Sequence, residues 1–184
     1  NKSNGASQAI VTPDSLGFTN SGSNRYVGVV VKDSGDVFAV GTGQGTSTIQ
    51  SFYTRVTTGG SGASHTLIGD FGQVMLAQRG SDTSGVITMQ CNGSTATIDS
   101  RNAVSGTVLA STTFNAYSIS DLEVTADFLR IGAMYRESAS QTADTVITFN
   151  TGFTSTLQKT LLDPGEVLTD MDKSVDLDSF TASG

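Results

Sequence analysis

Charge, cysteine and long apolar runs are all scarce in this sequence. Only 15% of its 184 residues are charged, and Glu and Lys, which fill helices, occur three and four times. That shortage argues against helical bundles and coiled coils. No apolar run exceeds a few residues, whereas a membrane-crossing helix needs about 20, so no membrane insertion is expected. A single cysteine, Cys91, excludes an internal disulfide. A positive n-region followed by an apolar h-region is missing after Asn1. Residues 1–25 therefore read as a linker with a closing strand near Ala9-Ile10-Val11, and residues 26–184 as one domain. The start reads as trimmed from a longer protein.

Basic residues are few as well. The six Arg and four Lys are scattered singly through a chain of formal charge −7, which supplies no stripe that could track a phosphate backbone, so nucleic acid is not an expected partner. Of the 17 acids, 14 are Asp. Asp is a turn residue, because its short carboxylate accepts bonds from nearby backbone amides.

What the chain has in quantity is Thr (26), Ser (24) and Gly (21), the residues of strands and turns. Short β-branched or aromatic segments recur: Tyr26–Val31, Val37–Val40, Thr48–Val56, Val74–Ala77, Gly85–Cys91, Thr95–Ile98, Thr107–Ala110, Phe128–Ile131 and Thr145–Phe149. Each is bounded by Gly, Asn, Asp or Ser, which predicts an all-β chain. One helix-like spacing, Leu157, Leu161 and Leu162, predicts at most a single turn.

An internal repeat stands behind these strands. Asp33-Ser-Gly-Asp-Val-Phe38 returns as Asp70-Phe-Gly-Gln-Val-Met75 and Asp163-Pro-Gly-Glu-Val-Leu168, with a degraded copy at Val124-Thr-Ala-Asp-Phe-Leu129. A longer register matches Tyr26, Val31, Asp36 and Gly41 with Tyr117, Leu122, Asp127 and Gly132, 91 positions on. Asp capping a tight turn, Gly supplying positive φ and an apolar run starting the next strand read as a hairpin. Polar loops are expected after it at Gly41–Thr46, Arg79–Ser84 and Arg136–Thr142. The spacing of the copies, 37, 54 and 39 residues, averages near the ~40–45 of a four-stranded propeller blade.

The run Val29–Gly41 resembles the inner hairpin of a β-propeller blade, which implies a small ring of about four blades. An antiparallel sandwich or jelly roll with shared turn chemistry is the alternative. The Asp-x-Gly-x-x-aromatic pattern is also similar to the Asp-box of sialidases, although Val31 replaces the usual Ser and Phe38 the usual Trp. Sialidase-like propellers work with an arginine triad and a Tyr nucleophile. The six Arg could supply the triad, but their spacing does not point to it.

Residues able to do chemistry are sparse. His65, the only histidine, falls in a Gly- and Ser-rich stretch read as a loop, with no nucleophile elbow beside it. A hard cation such as Ca²⁺ is better served, since it takes several oxygen ligands. Two groups could provide them: the run Asp170, Asp172, Asp176 and Asp178, and the repeated turn acids Asp36, Asp127 and Glu166, which would crowd the axis of a ring. The alternatives are a solvated acidic tail and ordinary turn acids. Tyr26, Tyr53, Tyr117, Tyr135, Phe71 and Phe114 could stack on a sugar face, or could be core.

The acidic balance, the low Lys content, the single Cys, the linker-like start and the Ser/Thr/Gly-rich strands together suggest a secreted or virion-surface recognition module. As a whole, and on no single motif, the chain also resembles the receptor-binding part of the spike proteins of tailless, membrane-containing marine bacteriophages, the corticoviruses. That resemblance implies a virion-surface (alternatively secreted) attachment module. It would bind a host cell-surface glycan or receptor, with calcium, and contact other capsid or spike subunits, without catalytic residues. A sialidase-like glycan-cleaving enzyme and a purely structural capsid or adhesin module are the alternatives.

Overall fold

The computed structural model of the chain describes residue 18 and residues 20–32, 35–45, 48–57, 63–69, 72–79, 85–125, 130–142, 144–150, 152–153, 156–161, 170–173 and 180–183. These residues form strands and their connections, and among them no helix is long and apolar enough to cross a membrane. The strands fall into consecutive antiparallel meanders. Sheet 1 is β1 (Asn20–Val31), β2 (Val37–Gln44), β3 (Ile49–Val56) and β4 (Ala63–Gly69), hydrogen-bonded in that order. Sheet 2 is β5 (Gln73–Arg79), β6 (Gly85–Cys91), β7 (Thr95–Arg101) and β8 (Val108–Asn115). Sheet 3 is β9 (Ser118–Val124), β10 (Arg130–Arg136), β11 (Thr145–Asn150) and β12 (Thr156–Leu161). A two-stranded hairpin follows, β13 (Asp170–Lys173) with β14 (Phe180–Ser183).

The sheets meet through their first strands. β5 lies against β1 and β9, and β9 against β13. These four strands end at Val31, Arg79, Val124 and Lys173, which are 48, 45 and 49 residues apart, so each sheet repeats one unit of chain. This is the serial arrangement of propeller blades. Among the described residues no contact of comparable extent joins β13 back to β1, and no closed ring is seen.

Sheet 2 is the middle layer, and β6 shows what that demands. All seven of its residues are buried. Ile87, Met89 and Cys91 join Ile98, Leu122, Ile131, Tyr135 and Phe149 in a core between sheets 2 and 3. Val86, on the opposite face, joins Phe38, Val40, Tyr53 and Val74 in a second core between sheets 1 and 2. A strand covered on both faces loses the usual alternation of apolar and polar residues.

Several sequence expectations need correction. The spacing of Leu157, Leu161 and Leu162 does not make a helical turn, since Thr156–Leu161 is strand β12 paired with β11, where ladder bonds and β-branched Thr outweigh two or three leucines. His65 is not in a loop but in β4, opposite Thr54. Gly41–Gln44 belongs to β2 rather than to a polar loop, and β1 reaches back to Asn20, upstream of residue 26. The putting of all four Asp-Gly corners at equivalent places is also overturned. Residues 33–38 and 124–129 span the first hairpins of sheets 1 and 3, whereas residues 70–75 and 163–168 span the links β4 to β5 and β12 to β13. Two kinds of corner alternate, which is why the copies are unevenly spaced. At the first corner the described residues show the turn: Gly35 sits at φ 86°, Lys32 N donates to Asp36 O at 2.9 Å, and Gly35 N to Lys32 O at 2.8 Å. Gly72 is not among the described glycines with positive φ. The segment around Ala9-Ile10-Val11 lies outside the described residues.

The 91-residue register lies about two residues off the structural repeat: Val31 and Val124, the ends of β1 and β9, are 93 apart, and the turn bond from Lys32 N to Asp36 O recurs as Thr125 N to Arg130 O. Gly41 shows the packing reason for one member. A Cβ there would lie 2.3 Å from the Arg25 carbonyl oxygen and 2.5 Å from the Phe52 ring, whereas one on Gly72 meets nothing within 4 Å. Gly41→Ala is accordingly expected to lower stability by about 1–3 kcal/mol in a denaturant titration. Gly72→Ala should leave the midpoint nearly where it was.

Candidate functional site

Each four-stranded sheet carries one Arg–Asp ion pair, and two of the three lie in the buried interface between sheets 1 and 2. Asp36 enters β2 at the end of the first hairpin, and its Oδ2 accepts from Arg55 of β3 at 2.7 and 3.2 Å. In β7, Asp99 and Arg101 are two residues apart and so share a face of the strand. The Arg101 guanidinium bonds the Asp99 carboxylate, and it also donates to Thr88 Oγ1 at 3.0 Å and to the Gly106 carbonyl at 3.1 Å. Asp99 accepts further bonds from Ser111 Oγ at 2.7 Å and Gln90 Nε2 at 3.1 Å. Lys32 closes the hairpin end of this layer, its ammonium 2.8 Å from the Gly85 carbonyl. The third pair, Arg136 with Asp144 at 2.8 Å, ties the ends of β10 and β11.

Tyr53 sits within this layer. Its hydroxyl donates to the Ala103 carbonyl at 3.0 Å, and its ring stacks on Phe38 with centroids 6.0 Å apart. Burial pushes its pKa well above the ordinary 10.0, and the positive charges of Arg55 and Arg101 only partly oppose that rise. A phenol held neutral with its proton committed to a carbonyl is not an activated nucleophile. The Arg residues are likewise separated: Arg55, Arg101 and Arg136 belong to three different sheets, and each is matched to its own Asp. This layer is built to be neutralised, and its chemistry is cohesion between sheets.

Three of the seven candidate metal ligands, Asp36, Asp170 and Asp172, fall within the described residues. Asp36 is engaged by Arg55 rather than turned to an axis. Asp170 and Asp172 lie at alternate positions of β13, opposite Ser183 and Thr181. Asp127, Glu166, Asp176 and Asp178 lie outside the described residues. Among the described residues there is no group of three His, Cys, Asp or Glu that could hold an ion.

The outward-facing aromatics are fewer than the sequence allowed. Tyr53 and Tyr135 are buried, and Phe114 packs on Tyr135 with centroids 4.6 Å apart. Phe71 lies outside the described residues. Tyr26 and Tyr117 remain exposed, at 40% and 47%. They are the two members of one pair in the 91-residue register, Tyr26 within β1 and Tyr117 just ahead of β9, so both stand on the first strand of a sheet or at its entrance. Tyr26 is steadied edge-on against Phe52, 5.3 Å between centroids. Beside it, Val27, Val29 and Val31 of β1 are exposed as well. The ion pairs were not singled out from sequence; only Asp99-x-Arg101 had a local signal, two opposite charges on one face of a strand.

The fold and this layer define an all-β scaffold of serially stacked, four-stranded antiparallel sheets. No family model and no curated protein matches the chain. Among solved structures it is similar to the acylaminoacyl peptidase of Pyrococcus horikoshii, with a TM-score of 0.53 and 13% identity over 76% of this chain. The chain spans 25% of the length of that peptidase. At that identity the likeness concerns the fold, a β-propeller-like one, and extends to no activity.

Asp99→Ala leaves a buried guanidinium unmatched, and a loss of about 3–5 kcal/mol is expected in equilibrium unfolding. Arg136→Ala should cost less, because that side chain is 36% exposed. Tyr53 gives a pH signature. Above pH 10 the unfolded chain releases the phenolic proton and the native chain keeps it, so stability falls as pH rises beyond the ordinary tyrosine value. Melting curves from neutral to alkaline pH should show that fall in the wild type and a shallower one in Tyr53→Phe.

Proposed function

We propose that the chain is a non-enzymatic attachment module, displayed on a virion surface, that binds a host cell-surface carbohydrate. The observation that supports this reading is the exposure of Tyr26, within β1, and of Tyr117, just ahead of β9, on a stacked-sheet scaffold. An exposed tyrosine offers an apolar ring to a sugar face and a hydroxyl to its polar edge. The buried Arg and Asp side chains are matched to one another, which leaves the outward chemistry to aromatic, Ser, Thr and Gly groups suited to an uncharged polar ligand.

The test is binding of the purified chain to host envelope and to glycans released from it. Tyr26→Ala and Tyr117→Ala are each expected to weaken binding roughly fivefold or more, a loss of about 1 kcal/mol, without moving the melting midpoint. Undiminished binding in the double variant would remove the tyrosines from this account. Sugar released from the envelope, and abolished by Arg→Ala changes, would favour the glycan-cleaving alternative.

A calcium requirement would rest on the acidic run from Asp170 to Asp178 alone. An ion held only by the folded chain raises its melting midpoint. On this reading calcium raises the midpoint and a chelator lowers it, and an unchanged midpoint removes the ion.

A further inference from the structure

The outer edge of sheet 2 is poorly defended against pairing with another strand. The hydrogen-bonded order of that sheet ends at β8, so alternate N–H and C=O groups of Val108–Asn115 point away from it. At eight residues β8 is longer than the usual five or six. Proteins blunt such an edge with Lys, Pro, a bulge or a cover, because a free edge is a template for another strand. The bulge here falls between the pairings Ser100 to Ala110 and Arg101 to Val108, at the strand's beginning, and leaves Ala110–Asn115 in unbroken register with β7. Neither Lys nor Pro is present.

Charge is absent over a wider span. From Asn102 to Ser120 the chain carries 19 residues without a single Asp, Glu, Lys or Arg. Edge strand β12, by contrast, contains Lys159. The first strands of the sheets are also edges, but β1, β5 and β9 are flanked by one another. Apolar side chains add to the edge of β8: Val104 of the preceding turn, Val108 and Leu109 are 54%, 43% and 56% exposed.

We infer that two copies of this chain pair through antiparallel β8 strands, joining their second sheets edge to edge. Each copy carries a formal charge of −7 and repels the other except where charge is lacking. The β8 strip meets that condition on both sides of a two-fold, where a surface must be complementary to itself. A two-fold through Ser111 sets Leu109 of one copy across from Thr113 of the other, with no like charges opposed. The inference is independent of the carbohydrate reading.

Sedimentation velocity over a concentration series tests it, with Leu109→Lys and Thr113→Lys as variants on the exposed face of the strand. The wild type is expected to sediment as a dimer and both variants as monomers, with melting midpoints of the monomers unchanged on dilution. A wild type that stays monomeric throughout overturns the inference, and so does a dimer that persists in both variants. Should a substitution impair folding, amide exchange of the wild type decides: outward amides of Ala110–Asn115 slow at high concentration and fast on dilution support the pairing. Fast exchange at every concentration overturns it.

Discussion

Face-to-face packing of consecutive sheets along their first strands is the constraint on which the rest of the molecule depends. Because β5 sits between β1 and β9, strand β6 of sheet 2 is covered on both faces. Every side chain of β6 must then find partners inside the protein. Apolar groups do so in the two cores. Thr88 and Gln90 of the same strand do so in the polar layer against sheet 1, where Asp99 and Arg101 are charged and buried together. Removing water from both charges is costly, and only the surrounding hydrogen bonds make the arrangement tolerable. The burial of the Asp99–Arg101 pair therefore follows from the stacking.

The strands were legible wherever β-branched and aromatic residues gather: each of the nine segments read from the sequence overlaps a strand, with Thr48 and Thr107 just outside β3 and β8 and residues 128–129 outside the described ones. Those missed are informative. Strands β4 and β9 are built around Ser, His and Asp residues, polar enough on their outward positions to read as loop, and β12 was obscured by leucines at helical spacing. The repeat was visible but its meaning was not. An Asp-Gly corner can turn a hairpin or leave a sheet, and the local chemistry is the same, so only strand pairing distinguishes residues 33–38 from residues 70–75. Turns in sheet 2 use Asn instead: Asn92 Oδ1 accepts from the amides of Ser94 and Thr95, and Asn102 Oδ1 from those of Val104 and Ser105. Such Asx turns fall outside an aspartate-based search.

The candidate site was legible only in part, for the same reason. Six aromatics qualify by type, but burial decides among them, and burial depends on which face of which sheet each occupies. Tyr26 and Tyr53 have similar strand contexts in sequence, yet one is at the surface and the other is stacked on Phe38 between two sheets. Of the three turn acids only Asp36 is described, and it has a neighbour across the sheet, Arg55, that no local pattern announces. Opposite exposed features, the tyrosines of the first strands and the uncharged edge of β8, give the scaffold an inner surface and an outer one with different chemistry.

Sheet stacking is tested most directly by a proton–proton Overhauser measurement between Gly28 and Leu76. Gly28 in β1 approaches β5 so closely that a Cβ placed on it would lie 3.4 Å from the Leu76 Cβ. The account requires a strong cross-peak between the Gly28 α-protons and the Leu76 side chain. Its absence, with both resonances assigned and sharp, would mean that sheets 1 and 2 do not stack through their first strands.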